Sequence, residues 1–197
     1  GGLNWQGTNP PTTSTMQRIL VNGSTIYVGG FDQTNIYSTT DNGTTWTTIP
    51  FTAPGQFSTF NIYAMDIVGS TLIAGGTYGL MNKSTNAGAN WQTASTHATV
   101  ANMVDIYAAS GNGRIIAMGT NVGGNECIVF STNGGSTWTN SGMISNTNMS
   151  DLSMRNANTG YVGGRFALFW KTPYCGANWD TTRSNNATLT PFFCHGV

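Results

Sequence analysis

Short apolar runs, each closed by glycine or by a cluster of Asn, Ser and Thr, recur along the whole chain, and none carries a helical period. Arg18-Ile19-Leu20-Val21 is followed by Asn22-Gly23, a two-residue hairpin signal because both residue types tolerate positive φ. Thr25-Ile26-Tyr27-Val28-Gly29-Gly30 then reads as a second strand and Asn35-Ile36-Tyr37-Ser38-Thr39 as a third. A polar turn, Asp41-Asn42-Gly43-Thr44-Thr45, leads into a fourth at Trp46-Thr47-Thr48-Ile49. The same order returns three times, so four units are expected at about 16–50, 61–94, 103–141 and 149–182. Residues 1–8 and 188–197 read as single strands of flanking units.

Two markers keep one register through the repeats. The tryptophans Trp5, Trp46, Trp91, Trp138 and Trp179 lie 41, 45, 47 and 41 residues apart. The glycines that end the second strands, Gly30, Gly76, Gly119 and Gly164, lie 46, 43 and 45 apart. Four short strands per unit at this period predict an all-β fold: a β-propeller of four-stranded antiparallel blades. Four full blades with partial strands at both ends are expected to belong to a larger propeller.

The turn before each tryptophan has a physical role of its own. Asp41, Asn86 and Asn133 are placed to accept hydrogen bonds from backbone N–H groups two or three residues on. Gly43, Gly88, Gly135 and Gly176 give the backbone freedom the turn needs. Trp46, Trp91, Trp138 and Trp179 would each bury a large apolar surface, worth about 2–3 kcal/mol when complete. Tyr174 stands where the acceptor should be in the fourth copy, so that turn should be looser, or held by Cys175.

Composition narrows the function classes. Charged residues make up only 7% of the 197 residues and the formal net charge is zero. That removes the basic footprint of a nucleic-acid binder and the polybasic patch of a membrane-surface protein. No apolar run approaches the roughly 20 residues of a membrane span. Cys127, Cys175 and Cys194 are too few for a disulfide framework. They read either as buried free thiols or as one Cys175–Cys194 bridge. With no CxxC and with His97 and His195 away from any Cys cluster, no metal is expected, and no cofactor motif is present.

Thr39-Thr40-Asp41-Asn42-Gly43-Thr44-Thr45-Trp46 and Ser131-Thr132-Asn133-Gly134-Gly135-Ser136-Thr137-Trp138 resemble the Asp-box, or bacterial neuraminidase repeat, of a β-propeller family. The stretch from Asp151 to Gly164 is similar to the repeat of photosystem II assembly-factor-like propellers and of secreted Bacteroidota surface proteins, type IX secretion cargo among them. The resemblance implies closure with six or more blades and a bacterial extracellular or cell-surface setting. It places the boxes on the blade periphery, away from substrate. It leaves function open, because such families hold sialidases, xyloglucanases, sorting receptors and scaffolds.

Candidate chemistry is sparse. The sialidase Arg-Ile-Pro signature is absent, Arg18-Ile19-Leu20 being the nearest approach, and Glu126 is the only Glu. Asp66, Asp105 and Asp151 each precede Ile or Leu at the start of an expected innermost strand, and Arg18 reads as their counterpart in the first unit. Together these four would form a partial ring at the mouth of the channel. Two carboxylates there could act as acid and base on a glycoside, or bind a cation or sugar hydroxyl. A repeated residue is more naturally a structural one, bonding its own strand or neighbouring backbone. Phe51, Phe57, Phe60, Phe192 and Phe193 could stack on sugars, but packing between blades is the expected role. The expectation is therefore a non-enzymatic binding or scaffold module with a protein or glycan partner. A glycoside hydrolase fragment and an assembly factor for a membrane complex are the alternatives.

Overall fold

The computed structural model describes residues 7–31, 34–51, 60–94, 100–108, 113–121, 123–145, 149–164 and 169–180. They form only strands and turns, arranged as four antiparallel sheets. The first holds β1 (Met16–Asn22), β2 (Thr25–Gly30), β3 (Asn35–Thr39) and β4 (Thr47–Pro50). The second holds β5 (Ile62–Val68), β6 (Thr71–Gly76), β7 (Met81–Ser84) and β8 (Gln92–Thr93). The third holds β9 (Val100–Ala108), β10 (Ile115–Asn121), β11 (Glu126–Ser131) and β12 (Thr139–Ser145). The fourth holds β13 (Met149–Met154), β14 (Gly160–Gly164) and β15 (Phe169–Thr172), and there the fourth strand shrinks to one bridge, Lys171 to Asp180. Each sheet is a simple meander, and β1, β5, β9 and β13 pack against one another in succession. That is a propeller arc with the first strand of every blade innermost. The expected flanking strands fall mostly outside the described residues.

Alternation along each strand decides how blades stack. Leu20, Tyr27, Ile36 and Ile49 of the first blade meet Met65, Ile67, Leu72, Ala74 and Trp91 of the second. Ile73 and Met81 of the second meet Ile106, Ala108, Ile115, Ala117 and Trp138 of the third. Ile116, Met118 and Ile128 of the third meet Leu152, Met154, Val162 and Trp179 of the fourth. Each fully buried aliphatic side chain here contributes roughly 1.5–3 kcal/mol. Phe51 and Phe60 pack in the first of these interfaces with ring centroids 4.9 Å apart. Phe57, Phe192 and Phe193 lie outside the described residues.

The glycines in phase mark a bulge. Gly30 pairs with Met16 and Gly29 with Arg18, so Gln17 is the extra residue of the inner strand. Tyr63, Val104 and Ser150 are bulged in the same way opposite the Gly76–Gly75, Gly119–Met118 and Gly164–Gly163 steps. A Cβ on Gly30 would sit 2.0 Å from the Thr15 carbonyl oxygen, and one on Gly76 1.6 Å from that of Asn61. Only glycine lets the inner strand come this close.

The turn before each tryptophan is built differently from the expectation. Its centre is the hydroxyl that ends the third strand. Thr39 Oγ1 accepts from the N–H groups of Asp41 (3.3 Å) and Gly43 (2.9 Å). Ser84, Ser131 and Thr172 repeat this with Asn86 and Gly88, Asn133 and Gly135, and Tyr174 and Gly176. Asp41, Asn86 and Asn133 accept from N–H groups four residues on, those of Thr45, Asn90 and Thr137, rather than two or three. With the Thr45 and Thr39 hydroxyls added, the Asp41 carboxyl is held down to about pKa 2, the Thr45 backbone N–H being the largest cause. The Tyr174 copy keeps the Thr172 half of the network, and Cys175 N–H bonds the Asn158 carbonyl at 2.6 Å. Trp138 is buried, whereas Trp46, Trp91 and Trp179 are only partly so.

Candidate functional site

The four bulges meet at one end of the arc. Gln17, Tyr63, Val104 and Ser150, one from each inner strand, line a cavity of about 470 Å³ together with Arg18, Asn102, Met103 and Thr120. Among the described residues of its lining, the polar groups are amides and hydroxyls and Arg18 carries the one formal charge. A pocket of this size with a few convergent polar groups is the ordinary form of a ligand site.

Arg18 is fixed across three blades. Its Nε donates to the Tyr63 carbonyl at 2.7 Å and Nη2 to the Val104 carbonyl at 3.2 Å. Nη2 also donates to Asp105 Oδ1, forming an ion pair. The bulges turn those two carbonyls toward it. The guanidinium therefore ties the first blade to the third over the top of the second.

The aspartates serve the inner strands. Asp105 Oδ1 accepts from Ile106 N–H at 3.0 Å, and Oδ2 from Leu152 N–H of the next blade at 3.2 Å. Asp66 Oδ1 accepts from Ile67 N–H at 2.8 Å, and Oδ2 from Ala108 N–H of its next blade at 2.5 Å. Both are latches from one inner strand to the following one. Burial is the main influence on each and raises the pKa, that of Asp105 to about 6 against the opposing pull of Arg18 and the two N–H groups.

The expected ring of four is not what the ladders form. Arg18, Asp105 and Asp151 share one register position, opposite Gly29, Met118 and Gly163. In the second blade that position, opposite Gly75, is Ala64. Asp66 pairs with Ile73 and lies two residues farther along its strand, so its latch is the Asp105 latch moved one step down the channel. Asp151 is half-buried in the tier of Asp105, whose carboxyl its charge pushes up.

Sequence reading missed the bulge residues themselves. Their signal was the glycine pair, or glycine beside Met118, in the facing strand. It also missed Glu126, which is 7% exposed, has no hydrogen-bond partner at Oε2 among the described residues, and is raised to about pKa 7 by burial. Cys127 and Cys175 are buried free thiols, and burial raises both. Cys194 lies outside the described residues, and among those described no three potential ligands form a metal cluster.

Residues 2–162 match the family model of the DUF6242 beta propeller domain. The chain belongs to that family. Comparison with curated proteins gives no match. Among solved structures, the DUF6242 chain is similar to YCF48 bound to a D1 peptide, with TM-score 0.63 and 20% identity over 82% of this chain and 50% of that one. It is similar to an ancestral GH74 enzyme, with TM-score 0.68 and 23% identity over 91% of this chain and 25% of that one. The GH74 enzyme of Niastella koreensis gives TM-score 0.65 and 20% identity, over 88% and 25% of the two chains. At these identities the likeness is one of fold. The chain spans half or less of the length of these neighbours.

Proposed function

We propose that this domain is a non-enzymatic binding or scaffold module that takes a protein or glycan partner at the bulge-lined end of its channel. One observation carries the reading. The buried carboxylates that a glycosidase reading would need are occupied: Asp66 and Asp105 each hold two backbone amides, and Asp105 also holds Arg18. A general acid or base needs a free approach to the reacting oxygen. What faces the cavity is Gln17, Asn102, Thr120, Ser150 and Tyr63, groups suited to hydrogen-bonding peptide amides or sugar hydroxyls. YCF48 bound to a peptide lends weight to a protein partner. The turn network around Asp41 is read as an Asp-box, and the setting as the bacterial surface or exterior.

The test is to add xyloglucan oligosaccharides and unstructured peptides to the protein separately. Binding and reducing-end release are followed together. Binding of either ligand that perturbs Gln17, Asn102 or Ser150, with no new reducing ends, supports the module. Reducing-end release that is lost in Asp105→Asn overturns it in favour of a glycoside hydrolase fragment.

A further inference from the structure

A strained turn inside the arc holds an exposed aromatic ring at the rim of the cavity. Tyr78 lies between β6 and β7 of the second blade, with the first and third blades on either side, and is 68% exposed. Tyr78 and Gly79 take φ 61° and 63°, and Leu80 N–H closes the turn on the Thr77 carbonyl at 3.2 Å. Asn, Asp or Gly is the usual occupant of the first of these positions, because a larger side chain is strained there. The other described non-glycine residues at positive φ are Asn42, Ala87 and Cys175, and all belong to the turn that repeats before each tryptophan. Tyr78 is the singular one. A ring so exposed adds little to the core that would offset the strain, and strain kept without that return points to a role at the surface.

Its neighbours fix where it sits. Thr77 bridges to Asn102 of the third blade, a residue of the cavity wall. Asn61 N–H donates to Thr77 Oγ1 at 3.1 Å, and Asn61 Nδ2 donates to the Tyr63 hydroxyl at 2.8 Å. Asn102 Nδ2 reaches Thr120 Oγ1 at 3.5 Å. The rim is thus one series from Tyr63 through Thr77 to Thr120, with Tyr78 attached at its middle. Tyr63 accepts in that series, which leaves its phenol proton to donate, and Asn102 donates, which leaves its Oδ1 to accept.

The wall presents side chains rather than a strand edge. The bulges turn the Tyr63 and Val104 carbonyls onto Arg18, and Arg18 also pairs with Asp105. A peptide backbone therefore finds no open ladder to extend, and the charge of Arg18 is already balanced. The groups left for a ligand are the amides of Gln17 and Asn102 and the hydroxyls of Tyr63, Thr120 and Ser150. An amide side chain donates to one hydroxyl and accepts from the next, which is the pattern that adjacent hydroxyls of a pyranose present. The C–H face of the same sugar is apolar and suits an aromatic plane.

We infer that the cavity takes a neutral oligosaccharide, one sugar ring stacked on Tyr78 and its neighbour hydrogen-bonded by Gln17, Asn102 and Tyr63. This rests on the reading of the domain as a binding module and narrows its partner to the glycan. The cavity, at about 470 Å³, is of the size that buries a small organic ligand.

Cellohexaose, laminarihexaose, mannohexaose, an oligogalacturonate and a mixture of unstructured peptides are titrated separately into the 197-residue protein by calorimetry. At least one of the three neutral oligosaccharides should bind, and the oligogalacturonate should not. Tyr78→Phe should keep the parent's affinity. Tyr78→Gly should lower it about tenfold while its urea midpoint stays level or rises, because glycine relieves the turn. A purely structural Tyr78 would lower the midpoint instead. Gln17 is exposed, so Gln17→Ala should weaken binding in a protein that still folds. The inference is overturned if none of the neutral oligosaccharides binds, if the oligogalacturonate binds more tightly than they do, or if Tyr78→Gly binds as tightly as the parent. Peptide binding alone, weakened by Gln17→Ala, would overturn the glycan and leave the binding module standing. Binding of neither class would count against both.

Discussion

The most telling single residues are the hydroxyls that close the third strands. Ser131 is 1% exposed, accepts from Asn133 and Gly135 N–H, and donates to Asn133 Oδ1. Ser131→Ala strands two backbone donors and should cost about 1–3 kcal/mol. Asn133→Ala loses an acceptor that water can replace, and should cost less than half as much by urea denaturation. An equal loss in the two variants would refute this ranking. The residue after Asp41, Asn86, Asn133 and Tyr174 lies in the left-handed region in every copy: Asn42 at φ 56°, Ala87 at φ 54°, Gly134 at φ 66° and Cys175 at φ 51°. Ala87 is exposed, so Ala87→Gly removes strain without losing packing. It should stabilise the protein by about 0.5–1 kcal/mol, read in the same titration. The sequence exposed Asp41, Gly43 and Trp46 as a unit. It could not rank them below Thr39, because the worth of a hydroxyl depends on how deeply the strand end is buried.

At the scale of strands, the inner-strand latches bind the blades more specifically than apolar packing alone. Asp66→Ala removes the acceptor of Ile67 and Ala108 N–H groups and leaves both in a half-buried seam. A loss of about 1–3 kcal/mol is expected. Amide exchange should quicken most at Ala108, and unchanged protection there would count against the latch. The existence of the strands was legible, since the tryptophan and glycine spacings agree with the blades found. Their register was not. Asp66 aligns with Asp105 when matched by the following Ile, and falls two residues out when matched by the glycine that faces the bulge. The inner hairpin turns differ in length, Asn22 being separated from Thr25 by two residues and Ala108 from Ile115 by six. Counting along the chain therefore cannot carry a register from one blade to the next.

For the molecule as a whole, the low charge makes each buried carboxyl count. Glu126 opens β11 beside Thr120 and Ser145 in the ladder, and among the described residues none hydrogen-bonds its Oε2. Its pKa rises from 4.5 to about 7 on folding because burial disfavours the ion. The unfolded chain thus releases this proton first as pH rises. Between pH 4.5 and 7 the folded state holds more protons than the unfolded one, so stability falls with rising pH through that window and levels above it. Asp105, raised to about 6 from 3.8, acts in the same direction at lower pH. Asp41 acts oppositely: its carboxyl is lowered to about 2, so its contribution is lost only as pH falls below the ordinary carboxylate range. The fold should therefore be most stable in mildly acidic solution and weaker at pH 8 than at pH 5. Glu126→Gln keeps the shape and removes the ionisation. Its melting temperature should change less between pH 5 and pH 8 than that of the parent, with the difference accumulating between pH 5 and pH 7 and levelling above. A variant whose pH profile parallels the parent's would show that Glu126 finds a balancing partner in solution.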